Sequence, residues 1–455
     1  MKDLTEGNEG KLIFQFAVPM LLGNVFHQLY NIVDSVIVGK FLGKEALAAV
    51  GASFPIIYAV IALVIGIGSG ASVVISQYFG AKDYDKVKRA ADTINIFLLF
   101  AGIFISIVGI LSSEWLFTLL QLPEELMPQA KTYLNIYLAG MVTFFGFNGT
   151  ASILRGIGDS KTPLYYLIIS TIFNIVFDLL FVLVFKWGIA GAAWATVLAQ
   201  AGAFATAVIH LNRTHYIFGF HIKGMKFDKE LLKESIRIGL PSGFQQTFVA
   251  LGMMALMGIV NTFGTNVIAA YTAASRIDSL ASMPAMNFAA ALAGFVGQNI
   301  GAKRFDRVKR GLIATLKMSL AICVIMTIFI IIEGEWLMGI FTADSQVVEI
   351  GHRYLVIVSV FYIFYSTMFI FGGVLRGAGA TLIPMFISLF SLWIIRIPLA
   401  YSLSSVMGED GIWWAIPIAW FSGMVGSMIY YRFGNWKNKG VGRAKHSGLD
   451  VVEVE

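Results

Sequence analysis

From Leu12 to Gly39 the chain runs without a Lys or an Arg and holds a single carboxylate, Asp34. About 20 apolar residues suffice for a helix to cross a bilayer. Inside hydrocarbon the backbone must satisfy its own N–H and C=O groups, so an unbroken run of this length becomes a spanning helix. Eleven comparable runs follow, and the twelve spans fall near 12–39, 46–77, 91–113, 130–154, 163–185, 188–211, 238–262, 267–298, 311–332, 351–375, 382–404 and 411–431. Hydrophobic residues make up 57% of the chain and charged residues 13%, against about 25% charged in soluble domains. The expected fold class is an all-α polytopic membrane protein. The first run is longer than the apolar stretch of a signal peptide and shows no small-residue cleavage pattern, so it is expected to be retained. One cysteine, Cys323, sits in an apolar run and reads as a small packing residue, with no internal disulfide to form.

The net charge of +6 is explained by its distribution and does not point to nucleic acid. With an even number of spans and the N-terminus inside, 25 of the 33 Lys and Arg residues fall on cytoplasmic segments. Lys40, Lys44 and Lys186 fall outside, with Lys131 and Arg353 at helix starts. This asymmetry follows the positive-inside rule and places both termini in the cytoplasm of a cell (plasma) membrane protein.

An internal repeat organises the chain. Gln77–Arg89 returns as Gln298–Arg310 with eight of thirteen residues identical. The same 221-residue offset aligns Glu114-Trp115 with Glu335-Trp336, Leu154-Arg155-Gly156 with Leu375-Arg376-Gly377, and Pro163 with Pro384. Six spans per half give both halves one orientation, related by a pseudo-twofold axis along the membrane normal. The expected domains are an amino-terminal lobe 1–212, a cytoplasmic linker 213–236 carrying Arg213, His215, His221 and Lys223, and a carboxy-terminal lobe 237–455. The Gly-Ala-Lys loops read as orienting charges that touch anionic head groups. Gly66-Ile67-Gly68-Ser69-Gly70 reads as close helix packing and not as a phosphate loop, since it lies mid-span with no strand before it. Pro19 and Pro241 fall at matching places in the first helix of each half and predict swivel points.

Beyond the first turn of each span, the charged residues inside the spans are Asp34, Asp178, Arg276, Asp278, Lys317 and Arg396. Such residues are expensive in hydrocarbon, by about 2.5–3.5 kcal/mol on insertion scales, and mark function. Asn24, Gln28, Asn31 and Asp34 form one stripe of the first helix. Asn174 and Asp178 share a face at i, i+4, and Thr196 falls at similar depth, so these groups are expected to converge with Asp34 as an ion or proton site. Lys317 snorkels to the cytoplasmic side. Arg276 and Asp278 read as a structural pair or as cavity wall, and Arg396 has no partner evident from sequence. At the repeat offset the second half has no counterparts of Asp34 and Asp178. It offers instead Met253, Met254, Met257, Met283 and Met286 with Gln245, Gln246 and Asn287, an adaptable lining for varied ligands. His27 reads as a polar lining residue, because no nucleophile or metal motif accompanies it and an enzyme is not indicated.

These features resemble the multidrug and toxic compound extrusion (MATE) transporters. The likeness rests on Pro19–Gly43 with Val33-Asp34-Ser35, the paired Gln-x-x-Gly-Ala-Lys loops, the paired Leu-Arg-Gly-x-Gly turns and Asn174-x-x-x-Asp178. It implies two six-helix lobes around a cavity and proton- or sodium-driven export of organic cations and drugs, with no cofactor and a monomeric chain in the bilayer. In the subgroup with an amino-lobe site, the matching positions are Asp34, Asn174, Asp178 and Thr196, so Na+ would bind at Asp34 and Asp178 if sodium is the coupling ion. Another subgroup places acidic residues on the seventh and tenth helices, where this chain has none. Substrate contacts are expected at Gln28, Asn31, Gln245, Met253, Met257, Arg276, Asp278 and Met286, with Pro19 as hinge. The competing reading is a lipid-linked oligosaccharide flippase of the related superfamily, which would need a cavity dense in Arg and Lys.

Overall fold

The computed structural model describes residues 2–214 and 224–441; the linker residues His215, His221 and Lys223 lie outside that range. Among the described residues there are helices and connections but no strands. In chain order the helices are α1 Glu9–Phe41, α2 Lys44–Gly80, α3 Tyr84–Leu119, α4 Met127–Ala139, α5 Met141–Gly156, α6 Lys161–Asp178, α7 Ile189–Thr214 and α8 Lys229–Val260. Then come α9 Thr265–Gly301, α10 Phe305–Gly339, α11 Ser345–Ser359, α12 Tyr362–Gly377, α13 Leu382–Leu389, α14 Ile397–Met407 and α15 Glu409–Phe433. A π-helical turn extends α6 through Leu179–Val184, and another joins α13 to α14 through Phe390–Arg396. Twelve spans result when α4 with α5, bent by 47°, and α11 with α12, bent by 50°, each cross once. The longest helices, α2 and α9, have 37 residues each, or about 55 Å at 1.5 Å per residue. Hydrocarbon is about 30 Å thick, so both project well beyond it.

The repeat is visible in backbone conformation. Lys82 and Lys303, the lysines of the paired Gly-Ala-Lys loops, both hold left-handed φ, 60° and 59°. Each ends its helix: Lys82 N–H donates to the Phe79 carbonyl and Lys303 N–H to the Ile300 carbonyl, both at 3.0 Å. Gly43 and Gly264, with φ of 89° and 88°, open α2 and α9 in the same way. Glycine meets that demand at little cost, whereas each lysine is held there by the surrounding turn.

The chain divides into two compact units, one containing Val18–Gly243 and the other Leu4–Ala17 with Phe244–Glu455. The division cuts α1 between Ala17 and Val18 and α8 between Gly243 and Phe244, each within two residues of Pro19 or Pro241. In the first unit, α8 begins against α2. A Cβ on Gly66 would stand 2.6 Å from the Gly243 Cα, and one on Gly70 would collide with the Ser235 carbonyl and the Gly239 backbone. Glycines four apart on both helices let the two backbones touch, as the mid-span glycine cluster led us to expect. Ahead of α8, Thr93 Oγ1 accepts from the Asp228 N–H at 2.9 Å, and Asp228 Oδ1 caps the helix by accepting from the Glu230 and Leu231 N–H groups.

In the second unit the amino-terminal segment is clamped onto the repeated loop. Leu4 is fully buried. Its N–H donates to Gln298 Oε1 at 2.8 Å, and its carbonyl accepts from Asn299 Nδ2 at 3.2 Å and from Arg307 Nη2 at 3.5 Å. Arg304 Nη1 donates to the Thr5 carbonyl at 2.6 Å. Glu9 Oε1 takes Arg307 Nη1 at 3.0 Å and Arg310 Nε at 2.8 Å. Arg304, Arg307 and Arg310 therefore have protein partners beyond the orienting role read from the sequence.

Two glycine substitutions separate close packing from ordinary helix propensity. Gly70→Val should lower the thermal midpoint of the detergent-solubilised protein by several degrees or abolish its accumulation, because the clash is with backbone. Gly258→Ala, where nothing lies within 4 Å of a new Cβ, should leave the midpoint unchanged or raise it slightly, alanine being favoured in a helix by about 0.5–1 kcal/mol. Equal effects of the two would refute the packing assignment.

Candidate functional site

The first unit gathers the polar residues that its helices carry far apart in sequence. α1 brings Asp34, α6 brings Asn174 and Asp178 on one face, and α7 brings Thr196. Asn174 and Asp178 are fully buried, and Asp34 and Thr196 are buried as well. Asn174 Nδ2 donates to Thr196 Oγ1 at 3.5 Å, and Thr196 donates onward to the Ala192 carbonyl at 3.3 Å. The Asp34 and Asp178 carboxyls lie within electrostatic reach of one another. Asp178 closes α6, and the π-helical turn begins at the next residue. Such turns insert one extra residue per turn and frequently lie at functional positions.

Three tyrosines complete the surroundings, and the sequence reading missed them. Tyr30 Oη donates to Thr196 Oγ1 at 3.3 Å and lies within electrostatic reach of both carboxyls. Tyr133 likewise feels both, and Tyr137 feels Asp34. Two spacings carried the signal: Tyr30 precedes Asp34 by four residues, and Tyr133 precedes Tyr137 by four on α4. Each puts a phenol one turn along the same face.

What this cluster lacks defines its chemistry. No Lys or Arg forms an ion pair with Asp34 or Asp178 among the described residues. Asp34 Oδ1, both Asp178 oxygens and Asn174 Oδ1 are buried with no hydrogen-bond donor. Burying a carboxylate unpaired is prohibitive, and two beside each other repel. Four oxygen-bearing side chains, of Asp34, Asn174, Asp178 and Thr196, thus lie together with no cationic side chain paired to the two carboxyls among the described residues. Among the described residues no group of three or more His, Cys, Asp and Glu suits a transition-metal site.

The residues expected to contact substrate are distributed over both units. Gln28 and Asn31 are half-buried on α1. Gln245 Nε2 donates to Ser388 Oγ at 2.6 Å. Met253 and Met286 are exposed by 43% and 38%, whereas Met257 packs against the second unit's hydrophobic core. Arg276 is exposed and Asp278 half-buried, and the two make no pair with each other. Asp278 instead accepts from Tyr362 Oη at 2.8 Å and Tyr354 Oη at 3.4 Å. Arg396, without an evident partner in the sequence, acts electrostatically on Asp278 and Tyr271.

Two repeated six-span halves, with an uncompensated carboxylate pair buried in one of them, define a polytopic transporter of the internally repeated type. The MatE family pattern matches residues 19–180 and again 241–402. The chain is 34% identical to the Probable multidrug resistance protein YpnP of Bacillus subtilis over 96% of its length and 97% of that protein. It is 32% identical to YoeA of the same organism, described in the same words, over 94% of both. A solved structure of an outward-facing multidrug resistance MATE family transporter superposes with a TM-score of 0.88 at 26% identity, covering 95% of this chain and 97% of that one. The chain belongs to the MATE family of multidrug efflux transporters, as its motifs suggested.

Stability separates the uncompensated acid from the paired one. Asp178→Asn removes an uncompensated carboxylate at constant volume and should leave the thermal midpoint unchanged or raised. Glu9→Gln leaves Arg307 buried without its counter-charge, a change worth about 3 kcal/mol in comparable pairs, and should lower it. A large loss of stability in Asp178→Asn would instead make Asp178 a structural residue.

Proposed function

We propose that this protein is a secondary antiporter that exports organic cations, drugs or toxic metabolites in exchange for H+ or Na+ bound at Asp34, Asn174, Asp178 and Thr196. The observation that carries the reading is the pair of buried carboxyls within electrostatic reach of one another and without a counter-charge. A proton or sodium ion there cancels their repulsion, and its departure restores it. The coupled ion can bias two conformations only by its differential affinity for them, and a site this unfavourable when empty supplies such a difference.

α1 provides the mechanical route. It is one continuous helix from the clamped Glu9 to Asp34, and the division between units falls beside Pro19. A change in charge at Asp34 alters how the outer part of α1 packs on α6 and α7, and Pro19, which weakens the helix locally, is where the change is taken up as a swivel. The charge distribution puts both termini in the cytoplasm, and export runs outward with a monomer as the working unit.

The relatives' description as multidrug resistance proteins supports a broad small-molecule substrate range, and the exposed Met253 and Met286 suit it. The lipid-linked oligosaccharide flippase reading is not favoured, because beyond the first turn of each of the twelve spans read from the sequence the Lys and Arg residues are Arg276, Lys317 and Arg396 alone. Reconstituted vesicles test the assignment. Asp34→Asn should abolish efflux of a fluorescent organic cation driven by an imposed pH or sodium gradient while leaving the protein folded and inserted. Undiminished gradient-driven efflux by that variant would sink the mechanism.

A further inference from the structure

The second unit holds a polar focus of the opposite design. Asp278 on α9 is fully served: two phenol hydroxyls donate to its oxygens, and the Arg396 charge lies nearby. Arg396 is not served in return. It is 7% exposed inside a membrane span, its Nε has no acceptor, and its one hydrogen bond among the described residues runs from Nη1 to the Met253 sulfur at 3.9 Å. A thioether is a weak acceptor, while a guanidinium presents five donors in a fixed fork. Close by, Trp413 is wholly buried between Tyr271, stacked at 5.6 Å, and Tyr354, edge-on at 5.0 Å, and its indole N–H is also idle. Buried donors are nearly always satisfied, so an idle guanidinium N–H in such a place marks a missing acceptor.

The placement of Met253 shows where that acceptor enters. Its sulfur touches the guanidinium, yet the side chain is 43% exposed. Its side chain, three rotatable bonds long, can move off the guanidinium. We propose that the Met253 thioether stands in for an anionic oxygen, and that Arg396 binds the carboxylate of zwitterionic substrates. This rests on the export reading above and deepens it. The Asp278 carboxyl lies within electrostatic reach of the guanidinium, which keeps the site from being a general anion trap and suits a ligand that also carries a cationic group.

A matched dye pair isolates the carboxylate. Rhodamine B bears a free carboxylate beside its cationic xanthene, and its ethyl ester lacks that acid. Equilibrium binding of both is followed by fluorescence anisotropy with the full-length protein in lipid nanodiscs. No ion gradient is imposed, so failure of the antiport mechanism leaves the result interpretable. Arg396→Met should weaken the acid by about 10- to 100-fold, the range of a charge-assisted hydrogen bond, and leave the ester within about twofold. The double variant Arg396→Met with Asp278→Asn removes both charges, protects the fold from an unbalanced carboxylate, and should show the same selective loss. Recovery of acid binding in the double variant overturns the proposal, since Arg396 would then only balance Asp278. Equal losses for acid and ester, or no binding of the acid by the native protein, overturn it too.

Discussion

Hydrocarbon offers no hydrogen-bond partner and no dielectric relief, and this one constraint shapes the protein at every scale. It turns each apolar run into a helix. It rewards backbone contact between helices, as where Gly66 and Gly70 meet Gly239 and Gly243. It also demands that buried charges be matched, and most are: Glu9 lies between Arg307 and Arg310, and Asp278 beneath two tyrosines with Arg396 close by. Against that background Asp34 and Asp178 stand out, each the other's nearest acid and neither with a cation. In the proposed mechanism this pair is where the exchangeable ion binds.

The two halves use the same scaffold for different electrostatics. Both carry a bent fourth span and a π-helical turn in the fifth. In the first half the residue before the turn is the carboxyl Asp178, and in the second the turn ends on the guanidinium Arg396. One half thus gathers two carboxyls without a cation, and the other sets a guanidinium within electrostatic reach of a carboxyl. Such a division suits an exchanger that must handle a coupling ion and a chemically varied cargo in one cycle.

Much of this was legible in the sequence because periodicity and cost are local properties. The spans follow from apolar run length, and the repeat follows from residue identities such as Gln77–Arg89 against Gln298–Arg310. The convergence of Asp34 with Asn174, Asp178 and Thr196 follows from the expense of each polar group and its depth. The tyrosines were less visible, since a phenol is at home on an apolar face and does not announce itself as expensive. Arg396 and Asp278 could not be related because they are far apart in sequence and come within electrostatic reach only in the folded chain. The Leu4–Glu9 clamp was hidden for a different reason: a short polar segment before a first helix has no periodicity from which a partner can be read.

The central claim is that the Asp34–Asp178 pair binds the coupling ion in competition with a cationic substrate. Linkage makes this measurable at equilibrium, because an ion that opposes substrate binding must shift its affinity by the coupling factor, typically about 5- to 150-fold. The most direct measurement is the affinity of the purified protein for a fluorescent organic cation across a grid of pH and sodium concentration, for the native chain and for Asp178→Asn. The account predicts that native affinity falls on acidification or on addition of sodium, and that the variant loses this dependence while still binding dye. Native affinity indifferent to both ions across the grid would contradict it.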